Sequence, residues 1–267
     1  MDNNGLHGLN VLSLFDGISC GMVALERAGF TVNNYYAFEI DKNAIKCSAS
    51  NYPSIIQCGN VFDTDFSNFE NIDLIVGGSP CTFWSVIKAD REITSDGEGF
   101  KLFSKYAEAV EKLRPKYFLY ENNDSIHPDI KSEISSALGV EYEMINSKFF
   151  SAQSRKRDYW TNIPILPYED KGILLQDVLE FGTTQRQKSK TVRVGGRGSG
   201  WGNKHEWDMP NPDRQYTITE LERLQTLPDG YTRVLTERQA SKAIGNGWTV
   251  EVISHILSGM KFKGGIL

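Results

Sequence analysis

Short apolar runs alternate with helical stretches through the first 120 residues, and this limits the fold more than any other feature of the chain. Asn10–Phe15 is an apolar run closed by Asp16-Gly17, and the spacing of Met22, Leu25 and Glu26 predicts a helix over Ile18–Gly29. Tyr35–Phe38 reads as a second strand and Asp41–Asn51 as a second helix. Ile55-Ile56 and Ile72–Val76 read as strands, Lys101–Leu113 as a helix, and Tyr117–Tyr120 as a further apolar run. Strands separated by helices of this length need crossover connections, which build a mostly parallel sheet. The expected class is therefore α/β. With 267 residues, 40% of them apolar, the chain can bury one sizeable core, which excludes disorder, collagen-like repetition and coiled coil.

Other classes fall away on simpler grounds. No run approaches the roughly 18 apolar residues of a membrane helix. Met1–Gly5 has no positive patch and no apolar segment after it, so a secretory signal is not expected. The four cysteines (Cys20, Cys47, Cys58, Cys81) are far apart and lack companion histidines, which speaks against a disulfide framework or a metal site and for a reducing cytosol. A net charge of -5 argues mildly against a chain coated in nucleic acid, yet leaves room for a local basic groove.

Beyond Pro164 the composition changes. Six cations (Arg186, Lys188, Lys190, Arg193, Arg197, Lys204) lie between Phe181 and Lys204 with no acid among them, around the glycine-rich run 195–200. Regular patterning resumes at Arg214: Thr217-Ile-Thr-Glu220 is a capping box that opens a helix ending before Pro228-Asp229-Gly230. A last amphipathic stretch covers Val250–Met260. The expected organisation is a catalytic domain in two segments, 1–165 and 213–267, around a small insert over 166–212.

Four places carry candidate chemistry. The turn after the first strand, Phe15-Asp-Gly-Ile-Ser-Cys20-Gly21, would present backbone N–H groups at a helix N-terminus, although tight strand-to-helix turns use glycine anyway. Glu39 ends the next strand, where an acid can accept from both ribose hydroxyls; the missing third glycine argues against a pyrophosphate and for a nucleoside cofactor without phosphates. Gly77-Gly-Ser-Pro-Cys81 follows an apolar strand, so Cys81 is either a thiolate nucleophile or a small buried filler. Tyr120-Glu121-Asn122-Asn123 puts a carboxyl group at the mouth of the sheet, suited to hydrogen-bonding duty or merely ending the strand. In Gln153-Ser-Arg155-Lys-Arg157, alternation sets two arginines on one face, able to grip a phosphate or a base carbonyl, unless the run is a solvated charge cluster.

These motifs in this order resemble the DNA (cytosine-5) methyltransferases from about residue 9 to residue 260. The resemblance is carried by Phe15-Asp-Gly17, Phe38-Glu-Ile40, Gly78-Ser-Pro-Cys81, Glu121-Asn122, Gln153-Ser-Arg-Lys-Arg157, Arg214-Gln-Tyr-Thr217, Glu220–Gln225 and Gly245-Asn-Gly247. Ser13-Leu-Phe-Asp-Gly-Ile18 and Trp248–Ile256 look similar to the animal de novo branch. The resemblance implies a Rossmann-like, S-adenosylmethionine-dependent sheet with an inserted target-recognition region. Cys81 would be the nucleophile that adds to carbon 6 of a flipped-out cytosine, Glu121 would hold the base, and Arg157 would reach its carbonyl with Arg155 beside it. Phe15, Asp16, Gly17, Cys20, Gly21, Glu39, Ile40, Asn60, Val61, Pro80, Leu102, Asn246 and Trp248 would form the cofactor pocket, the product being S-adenosylhomocysteine. Ser85, Asn122 and the six insert cations would meet duplex DNA. A mobile loop over Thr82–Gly99, with Gly97 and Gly99 as hinges, would close on the base.

The resemblance also allows a homodimer and a companion restriction enzyme, with a cytoplasmic, nucleoid-associated place in a prokaryote or phage and a nuclear one in a eukaryote. Ser19 stands where many members have glycine. Asn60, Thr82 and Asn123 replace an aspartate, a glutamine and a valine. Three rivals remain: a silent DNA- or partner-binding homologue, a tRNA cytosine-5 methyltransferase, and a folate-using pyrimidine-nucleotide methylase. The last leaves the nucleoside-binding turn and the basic insert unexplained.

Overall fold

Most apolar runs become buried strands in the first half of the chain, the short Ile56–Gln57 strand being exposed, in a computed structural model that describes residues 8–84, 91–192 and 214–261. β1 (Leu9–Leu14), β2 (Val32–Phe38), β3 (Ile56–Gln57), β4 (Leu74–Gly77) and β5 (Tyr117–Asn123) pair in parallel. β6 (Tyr142–Asn146) and β7 (Lys156–Thr161) complete a seven-stranded sheet in the order β3-β2-β1-β4-β5-β7-β6, and β7 runs antiparallel to both β5 and β6. The mostly parallel sheet is thus found, with an antiparallel end that the sequence pattern does not announce.

The central strands are apolar on both faces because both are covered. Val11, Leu74, Val76 and Leu119 face one core; Leu12, Leu14, Ile75, Phe118 and Tyr120 face the other. The first core is closed by α1 (Cys20–Arg27), α2 (Lys42–Asn51), α6 (Ile218–Leu224), α7 (Glu237–Asn246) and α8 (Val250–Leu257). The second is closed by α3 (Glu98–Leu113) and α4 (Pro128–Leu138). The capping box at the start of α6 forms: Glu220 N donates to Thr217 Oγ1 at 3.1 Å and Thr217 N to Glu220 Oε2 at 2.9 Å.

α3 starts three residues before its expected first residue, which changes the meaning of two glycines. Gly97 is its N-cap and Gly99 lies in its first turn. A Cβ on Gly99 would come within 2.8 Å of both Phe83 and the Trp84 ring nitrogen, so close packing alone accounts for a glycine there.

The expected insert does not begin with a break in packing. Leu175 and Val178, in the short helix α5 (Leu175–Val178), and Val192 join the same apolar cluster as β1 and α8. The remainder of that region, with Arg193, Arg197 and Lys204, lies outside the described residues, as does Ser85. No helix among the described residues is long and apolar enough to cross a membrane.

Candidate functional site

The sheet order reverses at β1, whose neighbours β2 and β4 lead away in opposite directions. In open α/β sheets ligands bind outside the carboxyl ends of the strands at such a point. A cavity of about 280 Å³ lies there, lined from the ends of β1, β2, β4 and β5 and walled by α7 and the loop after it.

The turn leaving β1 is conformationally costly. Phe15, Gly17 and Ser19 all have positive φ, near 60°. Glycine takes this shape freely and serine does not. Ser19 is held in it by its hydroxyl, 2.5 Å from Asp16 Oδ2 and 2.6 Å from Ser48 Oγ, which gives a physical reason why serine can stand in a glycine position. Asp16 also accepts from Ser13 Oγ at 2.6 Å and from Tyr35 OH at 2.7 Å. Burial pushes the Asp16 carboxyl up to about 6 in spite of these donors.

Glu39, at the end of β2, ties this turn to the next. Its Oε2 accepts from Gly17 N at 2.8 Å, and its Oε1 accepts from Ile40 N at 2.7 Å and Asp41 N at 2.8 Å. A carboxylate offers about four acceptor positions, so one remains on Oε2, enough for one ribose hydroxyl where two were expected.

The mouth of the cavity on the β5 side is ionic. Arg157 Nε lies 3.0 Å from Glu121 Oε1, and Trp248 Nε1 donates to Glu121 Oε2 at 2.9 Å. Beside it, Asn122 donates to Ser79 O at 3.0 Å and accepts from Asn123 N at 2.9 Å. Asn122 is 1% exposed, so it fastens the Gly77–Pro80 loop to β5; this corrects its expected place against DNA. Cys81 opens a 3₁₀ turn, Cys81–Phe83, directly after that loop, and its side chain lies outside the described residues. Burial pushes Cys20 up to about 12 and Cys47 up to about 12, so neither is a ready thiolate near neutral pH.

Phe15, Asp16, Gly17, Cys20, Glu39, Pro80, Asn246 and Trp248 line the cavity, together with Glu121, Asn122, Arg155 and Arg157. Five expected cofactor residues do not. Gly21 is buried in α1, where a Cβ would lie 2.8 Å from Tyr35 OH. Ile40 is 71% exposed between two lining residues. Asn60 turns its side-chain oxygen to Phe62 N at 3.1 Å, Val61 packs in the second core, and Leu102 sits half-buried on α3.

Two cations have other partners than those expected. Arg155 donates to Val192 O at 2.8 Å, Gly245 O at 3.2 Å and Gly247 O at 3.1 Å, and is 5% exposed. It supports the loop after α7 from within. Lys188 donates to Lys148 O at 2.7 Å, Ser151 O at 3.1 Å and Ile173 O at 2.7 Å, which uses all three ammonium protons and corrects its expected role at a phosphate. Arg186 and Lys190 are exposed on the same segment.

The α7 wall was missed: Gln239, Lys242 and Ala243 line the cavity. A signal existed, because Thr236-Glu-Arg-Gln239 is a capping-box pattern, and Gln239 Oε1 does accept from Thr236 N at 3.0 Å.

Comparison with known proteins agrees with this architecture. A family described as C-5 cytosine-specific DNA methylase matches residues 9–163 and 139–261. The orphan methyltransferase M.SPRI of Bacillus phage SPR is 36% identical over 163 residues, 57% of this chain and 37% of that protein. The type II methyltransferase M.NgoPII of Neisseria gonorrhoeae is 32% identical over 165 residues, 57% of this chain and 47% of its own. The matched stretch thus spans less than half of either relative. Among solved structures, the Entamoeba histolytica methyltransferase EhMeth superposes with a TM-score of 0.72 at 17% identity, covering 94% of this chain and 97% of that one. Fold, motif order and family match lead to one statement: the chain belongs to the C-5 cytosine-specific DNA methylase family.

Proposed function

We propose that the protein is a DNA cytosine-5 methyltransferase that methylates a flipped-out cytosine in duplex DNA through a covalent Cys81 adduct. The observation that carries this reading is the pairing of Glu121 with Arg157 and Trp248 at the end of β5, on the same cavity as the loop that leads into Cys81. An extruded base needs its hydrogen-bonding edge read by a fixed polar group, and Glu121 is such a group.

The cavity fits S-adenosylmethionine better than a phosphate-bearing cofactor. Its lining cations are engaged by the protein itself: Lys242 lies 3.0 Å from Asp41 Oδ2, Arg157 holds Glu121, and Arg155 holds backbone carbonyls. Glu39 keeps an acceptor position for a ribose hydroxyl, and the exposed Ile40 beside it offers an apolar face to a base. Bound there, S-adenosylmethionine supplies the electrophilic methyl group.

Cys81 attacks carbon 6 of the cytosine, which makes carbon 5 nucleophilic. Glu121 and Arg157 hold the base edge through that change. After methylation, the carbon-5 proton leaves, the carbon 6–sulfur bond breaks and Cys81 departs as the thiolate. Ser85 and the cations Arg186, Lys190, Arg193, Arg197 and Lys204 are the groups we assign to DNA contact, with phosphate neutralisation making activity fall as salt rises. A companion restriction enzyme is supported by the naming of M.NgoPII as a type II methyltransferase and opposed by the naming of M.SPRI as an orphan one, and the bacterial and phage sources of these relatives support a cytoplasmic setting.

The test is transfer of labelled methyl from S-adenosylmethionine to duplex DNA and, side by side, to tRNA, by wild type and Cys81→Ser. Labelled 5-methylcytosine in DNA from wild type alone supports the reading. Label in tRNA alone overturns the substrate, and DNA binding without label from either protein leaves a silent homologue.

A further inference from the structure

We propose that Trp248 is a positioning residue for methyl transfer, its indole N–H setting the orientation of the Glu121 carboxylate. The role rests on the cytosine methyltransferase reading above. The terminal torsion of a glutamate is broad and roughly two-fold, so a single contact leaves the carboxylate plane loosely set. Here each oxygen has its own donor from a different element: Trp248 Nε1 on Oε2 at 2.9 Å, Arg157 Nε on Oε1 at 3.0 Å. An indole N–H donates and never accepts, so it holds Oε2 as an acceptor whatever enters the cavity.

The approach depends on Gly78. A Cβ there would lie 3.0 Å from Glu121 Oε2 and 3.4 Å from Trp248 Nε1, and 2.8 Å from the Glu121 carbonyl oxygen. Trp248 is in turn anchored on both sides along the chain. Gln225 Nε2 donates to Gly247 O at 3.0 Å, and Thr249 Oγ1 donates to Gln225 Oε1 at 2.8 Å. Arg155 adds a second donor to Gly247 O at 3.1 Å. The far edge of the ring approaches the start of α1, where a Cβ on Gly21 would lie 3.6 Å from it. One rigid side chain therefore spans from the helix behind the β1 turn to the acid on β5. A residue that only walls the cofactor cleft needs this ring but has no use for its N–H, and that separates the two roles.

Trp248→Phe keeps a ring and deletes the N–H. In steady-state methyl transfer to duplex DNA, kcat falls about tenfold or more while KM for S-adenosylmethionine stays within about twofold. Independently of activity, the indole N–H resonance of ¹⁵N-labelled protein, assigned by its loss in W248F, shifts in Glu121→Gln. The proposal is overturned by W248F with wild-type kcat, by a loss confined to the cofactor KM, or by an indole resonance indifferent to E121Q. A wild type that methylates neither DNA nor tRNA refutes the reaction and this role together; an active wild type with an unimpaired W248F refutes the role alone.

Discussion

Arg155 and Arg157 stand two residues apart and both line the cavity, yet they belong to different parts of the machine. Arg155 lies under the loop after α7, its guanidinium forked over the carbonyls of Val192, Gly245 and Gly247. Arg157 lies at the mouth, against the carboxylate of Glu121. Below the cavity the polar groups form a closed set: Gln153 Nε2 donates to Gln225 Oε1 at 3.0 Å, and Val192 N donates to Gln153 Oε1 at 2.7 Å. At the mouth the set is open to whatever enters. The motif Gln153-Ser-Arg-Lys-Arg157 therefore combines a scaffold half and a chemical half, which spacing alone cannot separate.

The comparison predicts opposite phenotypes. Arg155→Met leaves three carbonyls without their charged donor in a site only 5% exposed. We expect a loss of about 4 kcal/mol in urea unfolding. Lysine is a poor replacement, since one ammonium nitrogen cannot stand in both places from which the two guanidinium nitrogens reach Val192 O and the Gly245 and Gly247 carbonyls. Arg157→Met, by contrast, removes one ion-pair contact at the mouth, for which we expect about 2 kcal/mol or less; under the proposed function it lowers kcat about 100-fold, because there its partner acid is the group that meets the base. A pair of variants with the same stability loss, or an R157M enzyme of normal kcat, would break the distinction.

A third group lies between these extremes. Asp16 lines the cavity and also organises the β1 turn, and burial pushes it up to about 6 from 3.8. The folded protein thus keeps this proton up to about pH 6, whereas the unfolded chain releases it near 3.8. Its contribution to stability is greatest below about pH 4 and falls as pH rises to 6, by about 2 kcal/mol once partial exposure is allowed for. Urea unfolding of wild type and Asp16→Asn across pH 4 to 7 isolates the effect. The wild type should lose ground against the variant over that window, and a difference independent of pH would refute the assignment.

What could be read in the sequence follows the same division. β1, β4 and β5 were legible because strands covered on both faces are apolar throughout, and α6 because its capping box is written in Thr217 and Glu220. β7, Lys156–Thr161, was not, because it carries charge into the interior: Arg157 meets Glu121, and Asp158, fully buried, lies 2.5 Å from Lys131. Such a run reads as a loop until its partners from other elements are known. α7 was hidden for the opposite reason. Its buried face is only Ala240, Ser241, Ile244 and Gly245, too small to produce an apolar stripe.

Lys188 gives the smallest effect and the sharpest contrast between a pattern and a structure. By charge pattern it belongs with Arg186 and Lys190, as one more cation for phosphates. By geometry it closes the segment 148–173 through three carbonyls, with Asp170 at 3.6 Å. The two roles differ in what salt does. A lysine on a phosphate contributes close to one unit to the slope of log affinity against log salt, and its removal takes that unit away. A lysine bound to backbone carbonyls contributes nothing to the slope, and its removal costs folding energy. Lys188→Met should therefore lose about 1 kcal/mol in urea unfolding while its DNA-binding salt slope matches wild type. Arg186→Gln and Lys190→Gln, exposed on the same segment, should each lower the slope. If K188M flattens the salt dependence as they do, the carbonyl cage opens when DNA arrives and the charge pattern was the better guide.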